Sequence, residues 1–98
     1  MEDIKKKLTE ELEVVSWDAL LPHFDRGATI KVSNTLDLIE VGIAMANDNS
    51  EIVGEWLKAG LLSQPSKEDS KTWTEQKNQF QFIIVQPYVL VQEIALHS

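Results

Sequence analysis

Apolar positions recur along this chain with two different periods, and the change of period divides it into elements. Over residues 2–15, Ile4, Leu8, Leu12 and Val15 fall at helical spacing with lysines and glutamates between them, which predicts an amphipathic helix. Glu2 and Lys6 stand one turn apart in it, a favourable pairing on a helix surface. In "SWDALLPHFDRG", Ser16 is placed to cap a second short helix carrying Trp17, Leu20, Leu21 and Phe24 on one face. Pro22 removes a backbone donor there, so the helix either kinks at that residue or a fresh turn begins at it. Gly27 is the natural stop.

The period then shortens. "ATIKVS" (28–33) alternates and is β-branched, which predicts a half-buried strand. "LDLIEVGIAMANDN" (36–49) returns to a helix, apolar on almost every side, and "DNSE" (48–51) opens another with Ile52, Val53, Trp56 and Leu57 on one face and Gly60 at its end. "LLSQP" (61–65) predicts a short edge strand ended by Pro65. Ser66 and Asp69 form a near relative of the capping box, opening a thinly apolar helix whose Trp73, Gln76 and Phe80 share a face. Phe82 to Val85 forms an unalternating run, the pattern of a strand covered on both faces. Gln86-Pro87 is poor chemistry for a tight hairpin, so the run predicts one long strand bent at Pro87, with Tyr88 to Glu93 along an edge.

The predicted order is α-α-β-α-α-β-α-β. Strands separated by helices favour crossovers and parallel pairing. The expectation is a small α/β or α+β single domain over residues 1–98, with a three- or four-stranded mixed sheet and helices packed on it. The 36–47 helix would be its central helix and Phe82–Val85 its central strand. A chain of 98 residues buries only roughly 65% of its unfolded surface, so an exposed apolar element invites a partner subunit.

Charge and composition narrow the function. The net charge of -7 is the wrong sign for a phosphate-binding footprint, and Lys5-Lys6-Lys7 lies between acids, as a solvated helix face does. Neither nucleic acid nor an anionic membrane is an expected partner. The absence of cysteine rules out thiolate catalysis, disulfides and cysteine-ligated metal. The charged N-terminus and the lack of a long apolar run give neither a signal peptide nor a spanning helix, and a cytoplasmic location is expected.

Candidate chemistry is sparse. Asp37 and Glu40 share a helix face, where two carboxylates suit acid–base work or a hard cation; "DLIE" is equally a capping box, and "DNSE" repeats the pattern at the next helix start. His23, two residues from Asp25, is the one histidine well inside the chain, since His97 is penultimate. It has no "GxSxG" or "HExxH" beside it. The widely separated glycines build no phosphate loop, "NDNSE" lacks the register of a calcium loop, and no metal or cofactor is expected. Of the tryptophans, Trp17 and Trp56 suit a core, while Trp73 on the thin helix suits a contact surface.

Taken in order, "SWDALLPHF", "LDLIEVGIAMANDN", "EWLKAG", "LLSQPSKEDSKTW" and "FIIVQPYVLVQ" resemble a small bacterial family known as domain of unknown function 2288. That resemblance implies a self-standing cytoplasmic domain and brings no activity, ligand or catalytic residue with it. Two functional readings follow. The first is a non-enzymatic binding or assembly module, a homodimer or other protein complex, with Trp73, Tyr88, Val89 and Val91 as contact residues. The alternative is a small enzyme or ligand-binding regulator with an acidic site around Asp37 and Glu40, joined by His23 or Asp48.

Overall fold

A computed structural model describes residues 3–94; the Glu2–Lys6 pairing and His97 lie outside that range. Five strands form one mixed sheet in the order β1-β4-β5-β2-β3: β1 is Glu13–Ser16, β2 Thr29–Val32, β3 Leu62–Ser63, β4 Gln79–Val85 and β5 Tyr88–Glu93. The helices are α1 (Ile4–Glu11), α2 (Leu21–Asp25, following a 3-10 turn over Trp17–Leu20), α3 (Leu38–Ala46), α4 (Ser50–Lys58) and α5 (Lys67–Gln76). The α+β class holds, with five strands rather than three or four.

Two features raise the strand count. The first predicted helix ends at Glu11, and Glu13–Ser16 pairs antiparallel with β4, Glu13 opposite Phe82 and Ser16 opposite Gln79. Val14 and Val15 are β-branched and prefer the pleated surface, although Val15 also continues the helical spacing. The predicted bent C-terminal strand is instead a hairpin. Val85 lies opposite Tyr88, and Gln86-Pro87, joined by a cis peptide bond, supplies the two-residue turn. A cis-proline in the third position makes a type VI turn, a route that needs neither Asn-Gly nor glycine.

The hairpin also moves the centre of the sheet. Tyr88–Glu93 is not an edge: β5 is the middle strand, antiparallel to β4 and parallel to β2, with Thr29, Ile30 and Lys31 beside Val89, Leu90 and Val91. Phe82–Val85 is therefore next to the centre, and Ile84 within it is 44% exposed. Parallel pairing is confined to this one interface; β3 joins β2 antiparallel at the far edge, where "LLSQP" was expected.

The strand alternation separates two cores. On one face Leu8, Val32, Leu38, Val41, Leu62, Ile83 and Leu90 pack under α1, α3 and α4, with Trp56 half-buried against them. Gly42 lets α3 come close: a Cβ there would stand 2.5 Å from Ile83 Cδ1 and 3.0 Å from Leu8 Cδ1. On the other face Trp17, Leu20, Trp73, Phe80, Val89 and Val91 pack under the 3-10 turn, α2 and α5. Trp17 meets Trp73 at 4.7 Å and Phe80 at 5.1 Å between ring centroids, and its indole N–H donates to Ser70 Oγ at 2.7 Å. Pro22 falls in the first turn of α2, so the fresh-turn alternative is the one the chain adopts.

Candidate functional site

The two acids of "DLIE" open α3. The loop before them is tied down by buried Gln92 on β5, whose Nε2 donates to Ser33 O at 2.9 Å and Leu36 O at 2.8 Å while its Oε1 accepts from Gln81 Nε2. This anchoring delivers Asp37 to the helix start, where its carboxylate accepts from the N–H groups of Ile39 (2.9 Å) and Glu40 (3.3 Å). Asp37 is thus an N-cap, its charge favoured by the helix dipole. The expected return bond from Glu40 to the Asp37 N–H is not formed; Glu40 is exposed. At the next helix the cap is Asn49, one residue later than "DNSE" suggested, and Asp48 before it takes a left-handed conformation (φ 54°). The complete reciprocal box is at α5: Ser66 Oγ accepts from Asp69 N–H at 3.0 Å, and Asp69 accepts from Ser66 N–H at 3.1 Å.

His23 does not join these acids. It lies on α2, which packs on the aromatic face through Leu21 and Phe24, whereas α3 packs on the aliphatic face through Leu38 and Val41. The sheet separates them. His23 Nδ1 lies within hydrogen-bond reach of Arg26 Nη2, three residues further along the chain. Among the described residues, no three acidic or histidine side chains are grouped to hold a metal ion.

Three of the four expected contact residues are interior. Trp73 is 6% exposed, Val89 2% and Val91 0%, so none of them offers a contact surface. The valines were assigned to an edge that is in fact the sheet's centre. Trp73 is buried because its ring is the main apolar content of α5 and closes over Trp17 and Phe80. Lys31 Nζ lies 5.4 Å from the centroid of its ring. Tyr88, at the hairpin end, is 40% exposed.

A feature with no local sequence signal lies beside Tyr88. β1 covers the outer edge of β4 only as far as Phe82, because α1 leaves the sheet there. Hydrogen-bonded pairs alternate along an antiparallel ladder. Ile94 N–H donates to Gln79 O, so Gln79, Gln81, Ile83 and Val85 bond toward β5. Trp17 N–H donates to Asn78 O, so Phe80 and Phe82 bond toward β1. The alternation then points the N–H and C=O of Ile84 outward, one step beyond the end of β1.

Around Ile84 the surface is hollow. A depression of about 540 Å³ lies between Ile4, Lys7, Leu8 and Glu11 of α1 and Ile84–Gln86. A second, about 440 Å³, is lined by Glu10, Glu11, Glu13, Phe82 and Ile84. A third, about 260 Å³, continues from Val85 and Gln86 to Met45, Val53 and Tyr88. Shared residues join them into one trough along the free part of β4. Its β1 end is acidic and Lys7 stands toward its hairpin end.

The comparisons with known proteins agree with this architecture. A family model described as "Protein of unknown function (DUF2288)" matches residues 3–93. The NMR solution structure of PA1075 from Pseudomonas aeruginosa is 37% identical, with a TM-score of 0.80, and the match covers 99% of this chain and 94% of that one. No curated protein matches the chain. Among the described residues no helix is long and apolar enough to cross a membrane.

Proposed function

The chain belongs to the DUF2288 family, and from that premise we propose that it is a non-enzymatic binding or assembly module that works as a homodimer. One observation carries the reading. A stretch of strand edge is left unpaired next to an exposed isoleucine, in a trough whose lining mixes apolar side chains with Lys7 and three glutamates. Unpaired edges are templates for another strand, and proteins that leave them uncovered and apolar aggregate unless the edge has a partner. Tyr88 extends the apolar surface to the hairpin end and is the contact residue retained from the sequence. The acidic-site alternative has less behind it. The Asp37 carboxylate is engaged as a cap, and His23 lies across the sheet from it.

Light scattering tests the reading directly. At micromolar concentration and above, the expected molar mass is twice that of the 11.1 kDa chain. A single-chain mass up to hundreds of micromolar rejects self-assembly.

A further inference from the structure

The aromatic core does not extend across the whole of its face of the sheet. Its side chains come from β1, β4, β5 and the elements packed above them, and none comes from β2 or β3. In β2, Ile30 and Val32 turn into the aliphatic core, so alternation sends Lys31 to the aromatic side. Ser63 lies directly opposite Lys31 across the β2–β3 ladder and shares that side, while Leu62 joins the aliphatic core. Ser33, whose N–H donates to Leu61 O at 2.9 Å, continues the row. A hollow of about 290 Å³ lies there, lined by Lys31, Ser33, Asn34, Gly60, Leu61 and Ser63.

We propose that this hollow binds a small oxyanion, the phosphate or carboxylate group of a small molecule, with Lys31 as its counter-charge. The site goes beyond the assembly reading and is independent of it. It lies on the β3 side of the sheet, whereas the free edge at Ile84 is on the β1 side.

Lys31 is half-buried, and its ammonium sits 5.4 Å from the centroid of the Trp73 ring. A ring face attracts a cation without neutralising it. Among the described residues the lining holds no carboxylate, so the charge is left to be met from the hollow. The remaining side chains can turn donors toward an anion. The Ser63 hydroxyl rotates freely. Ser33 Oγ lies 2.9 Å from Thr35 Oγ1, and Thr35 can supply the hydrogen of that bond and leave the serine's own to the ligand. Asn34 Nδ2 gives one hydrogen to Glu93 O and keeps a second. Hydrogen bonds from an ammonium to an oxyanion are charge-assisted and stronger than those between neutral groups. A cation in the same hollow would meet Lys31 with like charge.

The surrounding charge sets the size of the ligand. The adjoining hollow, which shares Asn34, holds Lys77 and Glu93, and the Glu93 carboxylate accepts from Asn78 Nδ2 there. The net charge of -7 opposes a polyanion, which must touch many residues. It is no bar to one oxyanion group beside Lys31, because salt screens exposed charges further away than about 8 Å. The space is also at the small end for a ligand pocket.

Titration of the isotope-labelled full chain with sodium phosphate, and separately with sodium acetate, tests the site, with chloride holding the ionic strength constant. Saturating amide shifts confined to residues 31–34 and 60–63 are expected. Saturation by phosphate alone assigns a phosphoryl group, by acetate alone a carboxylate, and by both the shared oxyanion; each supports the site. Lys31→Gln removes the charge and should weaken binding about tenfold. Ser63→Asp sets a carboxylate opposite Lys31 at an exposed edge position and should weaken it at least as much. Circular dichroism confirms that each variant is folded, and Ser63→Asp decides where Lys31→Gln does not fold. Lys5→Gln, on α1, should leave binding unchanged. Shifts that stay linear in anion concentration, that scatter over the other lysines, or that survive the Lys31 and Ser63 changes overturn the site. Lys31 is then a side chain laid over Trp73 and nothing more.

Discussion

The two faces of the sheet are filled by different means. On the aliphatic face many medium-sized side chains from α1, α3, α4 and the strands share the burial, and no single one dominates. On the aromatic face the covering elements are short or polar, and a few large rings occupy the space: Trp17 touches Trp73, Phe80 and Phe24 at once. A core built from many small contributions fails gradually, because each deletion removes one share. A core built around one ring concentrates its burial, its aromatic contacts and its one buried indole hydrogen bond in the same residue.

The sharpest test compares one residue from each face. Trp17→Ala should cost about 3–5 kcal/mol, more than Leu90→Ala in the middle strand, with both read as urea midpoints by circular dichroism. Equal costs would remove the distinction between the faces. Next is packing distance on the aliphatic side. Gly42→Leu adds a side chain where Ile83 and Leu8 already stand, and overpacking of this kind costs about 1–3 kcal/mol. A stable variant would mean that α3 can lift from the sheet without loss. The smallest effects belong to the caps. Ser66→Ala and Asp37→Ala should each cost about 1 kcal/mol, Ser66 the more of the two because its box is reciprocal and that of Asp37 is not. The reverse order in thermal melts would show that Gln92, rather than the cap itself, holds the start of α3.

The two faces also differed in how readily the sequence disclosed them. The aliphatic face is built by α3 and α4, whose spacing, breaks and caps are local signals, and both were legible to within a few residues. β2, the short edge strand β3 and the Ser66 start were equally plain. The aromatic face depends on long-range placement. Trp73 sits on a helix with too few apolar residues to announce a buried side, and its burial is decided by Trp17, more than fifty residues away. β1 was hidden because Val15 continues the helical period, and only pairing with β4 makes Glu13–Ser16 a strand. The same cause misplaced Val89 and Val91. Their strand was legible, but its position in the sheet is fixed by a turn at Gln86-Pro87 with no common hairpin signature and by parallel pairing with a strand some sixty residues earlier. Of the candidate site, the capping role of Asp37 was readable in "DLIE". The free edge at Ile84 was not, because it exists only through where β1 stops.

The position of β5 carries a consequence for how the molecule is made. It is the last of the five strands to leave the ribosome, yet the β1–β4 pair and the β2–β3 pair touch the rest of the sheet only through it. Until Tyr88–Glu93 emerges, β2 has no neighbour but the two-residue β3, and the inner edge of β4 is open along its whole length while β1 covers part of the outer one. A nascent chain at that stage exposes apolar strand edges on both sides of an unfilled slot, the state in which chains pair wrongly with one another. Insertion of β5 closes the slot and supplies Leu90 to one core and Val89 and Val91 to the other in a single event. The two faces, so different in composition, are therefore expected to consolidate together, once Tyr88–Glu93 has emerged.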